Sequence, residues 1–252
     1  MLLDLIVGAR PNFMKIAPVI RGINSRVARG ETINYRLVHT GQHYDRNMSG
    51  SFFGELDIPE PHVNLNIGSG TQAEQTSGIM LGYEKLLYQQ KPDLCIVVGD
   101  VTSTMACAIT ARKMLVPVAH IEGGIRSGDM TMPEEINRIV TDSITDYFFT
   151  TSETANQNLE KAGVTNDRIF FVGNTMIDTL LHCRTRFSKP ELYDEMGLKE
   201  KGYLVLTLHR PNNVDDPDNL KHLLAEISET SGETPIIFPV HPRTRKILTN
   251  NG

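Results

Sequence analysis

The sequence predicts open parallel α/β sheets, on three observations. β-branched apolar runs alternate with stretches of helical periodicity, the mark of βαβ units. The runs have the length of buried strands. Each stops abruptly at a polar or charged residue: LLDLIV at Gly8-Ala9-Arg10-Pro11, LCIVVG at Asp100, VPVAHI at Glu122, YLVLTL at His209-Arg210 and PIIFPV at His241-Pro242. In such sheets ligands bind outside the carboxyl ends of the strands. The pattern therefore gathers carboxylates, histidines and arginines near one crevice.

Taken in order, strands are predicted near 2–7, 34–39, 93–98, 117–121, 147–150 and 169–172. Helices are predicted near 13–28, 73–90, 102–115, 134–145 and 152–162. Ser152 reads as the cap of the last of these, and Gly163 as its left-handed terminus. Right-handed crossovers stack the strands in one sheet. A second α/β unit begins near Gly173, with helix 174–187, strand 203–208, helix 217–230, strand 235–240 and the start of another helix. The division expected is thus 1–172 and 173–252. Two strands do not make a stable doubly wound domain, so the second unit reads as incomplete.

The 252 residues suit one large or two modest domains. Hydrophobic content of 40% supports an ordinary core. A net charge of −5 with no long basic block argues against a nucleic-acid backbone binder. No apolar stretch approaches the roughly 18 residues of a membrane span, and the N-terminus lacks the layout of a signal peptide. Cys95, Cys107 and Cys183 form no C-x-x-C pair and read as reduced packing residues of a cytoplasmic protein. No Cys or His spacing suggests metal.

Each motif has a functional and a plain reading. Gly8 to Lys15 places Arg10 and Lys15 at a helix start, where anions bind; it also reads as a tight turn with two solvated cations. Asp100, followed by Thr102 and Ser103, reads as a crevice acid or as a helix cap. In His120-Ile121-Glu122-Gly123-Gly124-Ile125-Arg126, two glycines free the backbone just after the acid. In Pro133-Glu134-Glu135-Ile136-Asn137-Arg138, both glutamates suit the positive end of a helix, and Arg138 is spaced to pair with Glu134. His209 and His241 stand at equivalent strand ends of the second unit. His39-Thr40-Gly41-Gln42-His43-Tyr44-Asp45 reads as a crevice lining or a polar loop.

Together the stretches GARPNFMKIAPVI, HTGQHYDRNM, VVGDVTSTMA, AHIEGGIRSGDMTMPEEINRIVTD, VGNTMID, TLHRPNNVDD and PVHPRTR resemble the non-hydrolysing UDP-N-acetylglucosamine 2-epimerase family. The resemblance runs from residue 2 to about residue 245, and the order and spacing of the motifs make it specific. It implies a GT-B architecture, two Rossmann-like domains with a sugar nucleotide between them. It implies interconversion of UDP-GlcNAc and UDP-ManNAc without cofactor or metal, by anti elimination of UDP and re-addition through a glycal. By position match, the acid/base carboxylates fall on Asp100, Glu122 and Glu134 and the catalytic histidine on His209. Arg10, Lys15, Arg138, Asn174 and His241 match substrate-binding or supporting positions. Carboxylates crowded in one crevice are expected to raise at least one pKa by repulsion. A cytoplasmic homodimer is implied, with no nucleic-acid or membrane partner.

Departures accompany the match. The family's later glycine-rich segment, which holds the uridine diphosphate, has no counterpart before Gly252, so the chain as given is expected to turn over poorly. Asn212 replaces a glutamate common in relatives. Gln42 and His43 match regulated relatives, but Asp45 and Thr71 stand where those carry Gln and Arg, so activation by a second UDP-GlcNAc is not expected. Alternative readings are a 2-epimerase of UDP-2,3-diacetamido-2,3-dideoxyglucuronate, a hydrolysing 2-epimerase, a GT-B glycosyltransferase and a non-catalytic sugar-nucleotide binder.

Overall fold

The computed structural model describes residues 1–41 and 50–250. The run LLDLIV forms strand β1 (Leu2–Val7), and its alternation sends side chains to both faces of a sheet. Leu3, Leu5 and Val7 pack with Phe13, Ile16 and Ile20 of helix α1 (Arg10–Val27). Ile6 faces the other way, onto Ile79 and Tyr83 of α3 (Gln72–Gln89). The remaining strands of this sheet are β2 (Asn34–His39), β3 (Val63–Asn64), β4 (Leu94–Val98), β5 (Val118–Ile121), β6 (Tyr147–Thr150) and β7 (Ile169–Phe171).

Among the described residues these seven strands run parallel in the order β3-β2-β1-β4-β5-β6-β7. Burial on both faces explains why they read as continuous apolar runs. The chain winds outward from β1 to β3, then returns to lay β4 on the other side of β1. That reversal opens a crevice at the carboxyl ends of β1 and β4. Helices α2 (Gly50–Leu56), α4 (Thr102–Lys113), α5 (Pro133–Ile144), α6 (Glu153–Lys161) and α7 (Thr175–Cys183) complete the unit.

The predicted elements are present, with informative differences at their ends. Helix α1 starts at Arg10 rather than 13, because Pro11 suits a first turn and Asn12 Oδ1 accepts the Gly8 and Ala9 N–H groups. Ser152 does cap α6, accepting the Ala155 N–H, and Gly163 follows it at φ +87°. Thr71 starts α3 in a reciprocal capping box with Glu74. The short elements α2 and β3 were not anticipated.

The first compact unit extends to Arg186, beyond the division expected at 172/173. Helix α7 joins it by packing on α1, with Thr179 Oγ1 donating to the Met14 carbonyl at 2.7 Å. His182 adds a 2.7 Å contact to Asp57.

The second unit, Phe187–Gly252, contains α8 (Glu191–Glu195), β8 (Leu204–Val205), α9 (Pro211–Val214), α10 (Pro217–Ser231), β9 (Ile236–Ile237) and α11 (Pro242–Asn250). Strands β8 and β9 pair in parallel, Leu204 with Ile236 and Val205 with Ile237. They are shorter than the predicted 203–208 and 235–240. Pro239, which has no N–H to give, lies just past β9. Asp216 caps α10 through the Asp218 and Asn219 N–H groups. No helix among the described residues is long and apolar enough to cross a membrane.

Candidate active site

The carboxyl ends of β4 and β5 lie side by side and carry Asp100 and Glu122. Gly99, at φ +69°, forms bare backbone between them. A Cβ there would lie 3.1 Å from Lys15 Nζ and 3.5 Å from Glu122 Oε2. Glycine is needed at this position both for its backbone angle and for its missing side chain.

Glu122 itself adopts φ +71°, an uncommon conformation for a residue other than glycine, and so projects off the strand end. Lys15, from the first turns of α1, donates to its Oε2 at 2.6 Å. The two side chains are 15% and 11% exposed, so the pair is largely shielded from water. Asn12 ties the same helix start to the sheet by donating to the Val98 carbonyl. Arg10 remains exposed, with its guanidinium 4.9 Å from the centre of the Phe52 ring.

Asp100 does not cap α4, because Val101 holds that position. Its Oδ2 accepts from Arg138 Nη2 at 2.5 Å, while Asn137 holds its backbone carbonyl. Arg138 does not pair with Glu134 as the i,i+4 spacing suggested. Its other nitrogen donates to Glu135 at 2.7 Å, an i,i+3 pair. Glu135, buried, also accepts the Ser127 and Gly128 N–H groups. Burial pushes the Glu135 carboxyl upward, but those N–H donors and the Arg138 guanidinium outweigh it and hold it at about 2. Glu134, one position earlier and turned away from it, is exposed.

Behind the rim, His120 is wholly buried between Asp142 and the Gly99 carbonyl, at 2.7 and 2.8 Å. Asp142 Oδ2 accepts from the Gly124 N–H and from Arg126 Nη1. Burial raises Asp142, but His120 and Arg126 lower it further. The resolved shifts of Glu135 and Asp142 thus run downward. Each has its own cationic or N–H donors.

The structure therefore brings Lys15, Asp100, Glu122 and Arg138 together at the strand ends and puts Glu134 at the start of the adjoining α5. Asn174 caps α7 through the Met176 N–H. In the second unit His209 and His241 have ring centroids 5.9 Å apart, each just beyond a parallel strand. Gln42, His43, Tyr44 and Asp45 lie outside the described residues.

Sequence reading missed Asn12, Glu135, His120 and Asp142. The phase of α5 carries a signal for two of them. Glu135, Arg138 and Asp142, spaced i, i+3, i+7, share one face. Cys95 and Cys107 are buried packing residues as expected, and burial pushes both thiols up. Cys183 is only partly buried and contacts Arg186.

A parallel doubly wound unit with cation–carboxylate pairs at the carboxyl ends of its central strands marks a small-molecule site. Residues 25–251 match the family model described as UDP-N-acetylglucosamine 2-epimerase, and the chain belongs to that family. A UDP-N-acetylglucosamine 2-epimerase homolog of Methanococcus maripaludis is 45% identical over 245 residues, 96% of this chain and 66% of that protein. The crystal structure of Methanocaldococcus jannaschii UDP-GlcNAc 2-epimerase in complex with UDP-GlcNAc and UDP matches with a TM-score of 0.84 and 41% identity, over 99% of this chain and 68% of that one. A UDP-2,3-diacetamido-2,3-dideoxy-D-glucuronate 2-epimerase of Pseudomonas aeruginosa is 39% identical over 98% of this chain and 68% of that protein. The chain spans about two thirds of the length of these relatives.

Proposed function

We propose that this chain belongs to a non-hydrolysing UDP-GlcNAc 2-epimerase that interconverts UDP-GlcNAc and UDP-ManNAc. The observation that carries the reading is the paired rim, Lys15–Glu122 beside Arg138–Asp100 across Gly99. Inversion at C2 needs proton-handling groups that reach both faces of that carbon. A base removes the C2 proton, and the C–H electron pair forms the C1–C2 double bond. UDP departs with the electrons of the C1–O bond. Re-addition of UDP at C1 and protonation of C2 from the other face completes the inversion.

Asp100, Glu122 and Glu134 are assigned this acid/base work. Each rim carboxylate has a cation 2.5–2.6 Å away, so a proton gained or lost changes the charge of a pair rather than of a lone shielded ion. By family position, Arg10 is assigned to substrate binding and His209 to catalysis. Arg138, Asn174 and His241 are assigned to substrate binding and support. The Met1–Arg186 unit is the carboxylate-bearing domain in this reading, and Phe187–Gly252 contributes to UDP binding. A cytoplasmic homodimer belongs to the same reading, and sedimentation of the purified protein tests the dimer.

The experiment is proton NMR of UDP-GlcNAc incubated in D2O with this chain and with a form extended past Gly252, the extended form being the one from which turnover is expected. UDP-ManNAc carrying deuterium at C2 is expected, and Asp100→Asn or Glu122→Gln should slow the wash-in at least about a hundredfold. Free ManNAc, sugar transfer without C2 exchange, or exchange only on the diacetamido-glucuronate nucleotide would each refute the assignment.

A further inference from the structure

We propose that His120 is a positioning residue whose two ring N–H groups clamp the Asp100 loop and the Glu122 loop to helix α5. The catalytic meaning rests on the epimerase reading above; the clamp itself rests on geometry. His120 stands in register between Val97 and Phe148, in the middle of the sheet and out of reach of solvent. Its Nε2 lies 2.8 Å from the Gly99 carbonyl, which can only accept, so Nε2 carries a proton. Its Nδ1 lies 2.7 Å from Asp142 Oδ1. The other oxygen of Asp142 already accepts from the Gly124 N–H at 3.0 Å and from Arg126 at 2.6 Å. Asp142 therefore serves as an ionised acceptor, and Nδ1 donates as well. A ring with one proton would leave one buried contact facing lone pair against lone pair.

The two bonds reach both rim loops. Gly99, at φ +69°, immediately precedes Asp100. Gly124, held through Asp142, follows Glu122 by two residues. Helix α5 carries Asp142 near its end and Glu134 at its start. The other charged groups around Gly99 are Lys15 and Glu122, already paired with each other. One imidazole thus fixes the relative positions of the three assigned carboxylates without touching substrate.

The test has two arms. Long-range 15N–1H NMR of the unsubstituted protein reads the ring directly. Two slowly exchanging protons on His120 are expected, and a single ring proton would overturn the clamp whether or not the protein turns over. The second arm compares His120→Gln with His120→Asn in the form extended past Gly252, both checked for native melting. Gln places a donor near the Nε2 position and keeps the Gly99 bond. Asn places one near Nδ1 and keeps only the Asp142 bond. C2 deuterium wash-in should fall less than about tenfold in kcat for His120→Gln and about a hundredfold for His120→Asn, with KM changed less than about threefold in both. Equal losses in the two variants, or a loss confined to KM, would overturn the positioning role. If the form extended past Gly252 shows no wash-in without substitution, the epimerase reading falls, and the ring-proton spectrum still decides the clamp.

Discussion

Gly124→Ala tests whether the loop after Glu122 is locked in place. Gly124 sits at φ +83°, where a side chain costs about 1–2 kcal/mol by itself. An added Cβ would also lie 2.4 Å from the Ala155 carbonyl oxygen and 2.9 Å from Leu159 Cγ. Relief by sliding is blocked on both sides. The Gly124 N–H is bonded to Asp142, and its carbonyl accepts from Asn158 at 2.9 Å. Overpacking of this kind costs about 1–3 kcal/mol. Together the two effects predict a loss of about 2–5 kcal/mol. Gly128→Ala provides the control: its φ is +75°, but nothing lies within 4 Å of the added carbon. It should lose only the backbone part, about 1–2 kcal/mol. Urea unfolding followed by far-UV circular dichroism measures both, and tyrosine fluorescence provides a second probe in a chain without tryptophan. If the two substitutions cost the same, the close approach to α6 is not a constraint and the argument for a locked loop fails.

Two further predictions concern buried charge. Asp4 is fully buried and held by both nitrogens of Arg36 at 2.8 Å and by the Tyr83 hydroxyl. Arg36→Met should destabilise by about 3–5 kcal/mol by leaving that carboxylate without its cation, and adding Asp4→Asn should recover part of the loss. A double-mutant cycle reads the coupling, and a cost under about 1 kcal/mol for the single substitution would contradict it. Glu135 supplies an acid-limb prediction. Its folded pKa, about 2, lies below its ordinary 4.5, so its contribution is complete above about pH 4.5 and disappears as pH falls through about 2. The contribution is about 2 kcal/mol after allowance for screening at the loop. Urea midpoints across that window should converge for Glu135→Gln and the unsubstituted protein, and parallel curves would refute the assignment.

The sheet was legible because its strands are buried on both faces and bounded by glycine, proline and charge, so run length and run ending located them together. β3 escaped because two residues, Val63 and Asn64, give no periodicity to read. Strand ends also placed Asp100, Glu122 and Lys15 in one neighbourhood, since parallel winding leaves little choice of where they go. The partner of each was less legible. A helix cap and a salt-bridge acceptor need the same residue types, so Asp100 followed by Thr102 read equally well as either. Only the approach of α5, more than thirty positions away in sequence, decides it.

Glu134 and Glu135 show why that approach could not be read from the helix start alone. Both satisfy the positive end of the dipole, and spacing to Arg138 allows an i,i+4 pair with one and an i,i+3 pair with the other. Consecutive residues on a helix are turned about 100° apart, so only one can face the sheet. The choice is made at the far end, where Asp142 must meet His120. Counting back from Asp142 by seven gives Glu135 and by four gives Arg138, which fixes the inward face and turns Glu134 outward. The outward glutamate is the one that family position assigns to chemistry, and the inward one orders the 127–128 loop and Arg138. The buried His120–Asp142 contact thus sets the rotation of α5, and that rotation decides which glutamate is left available at the rim.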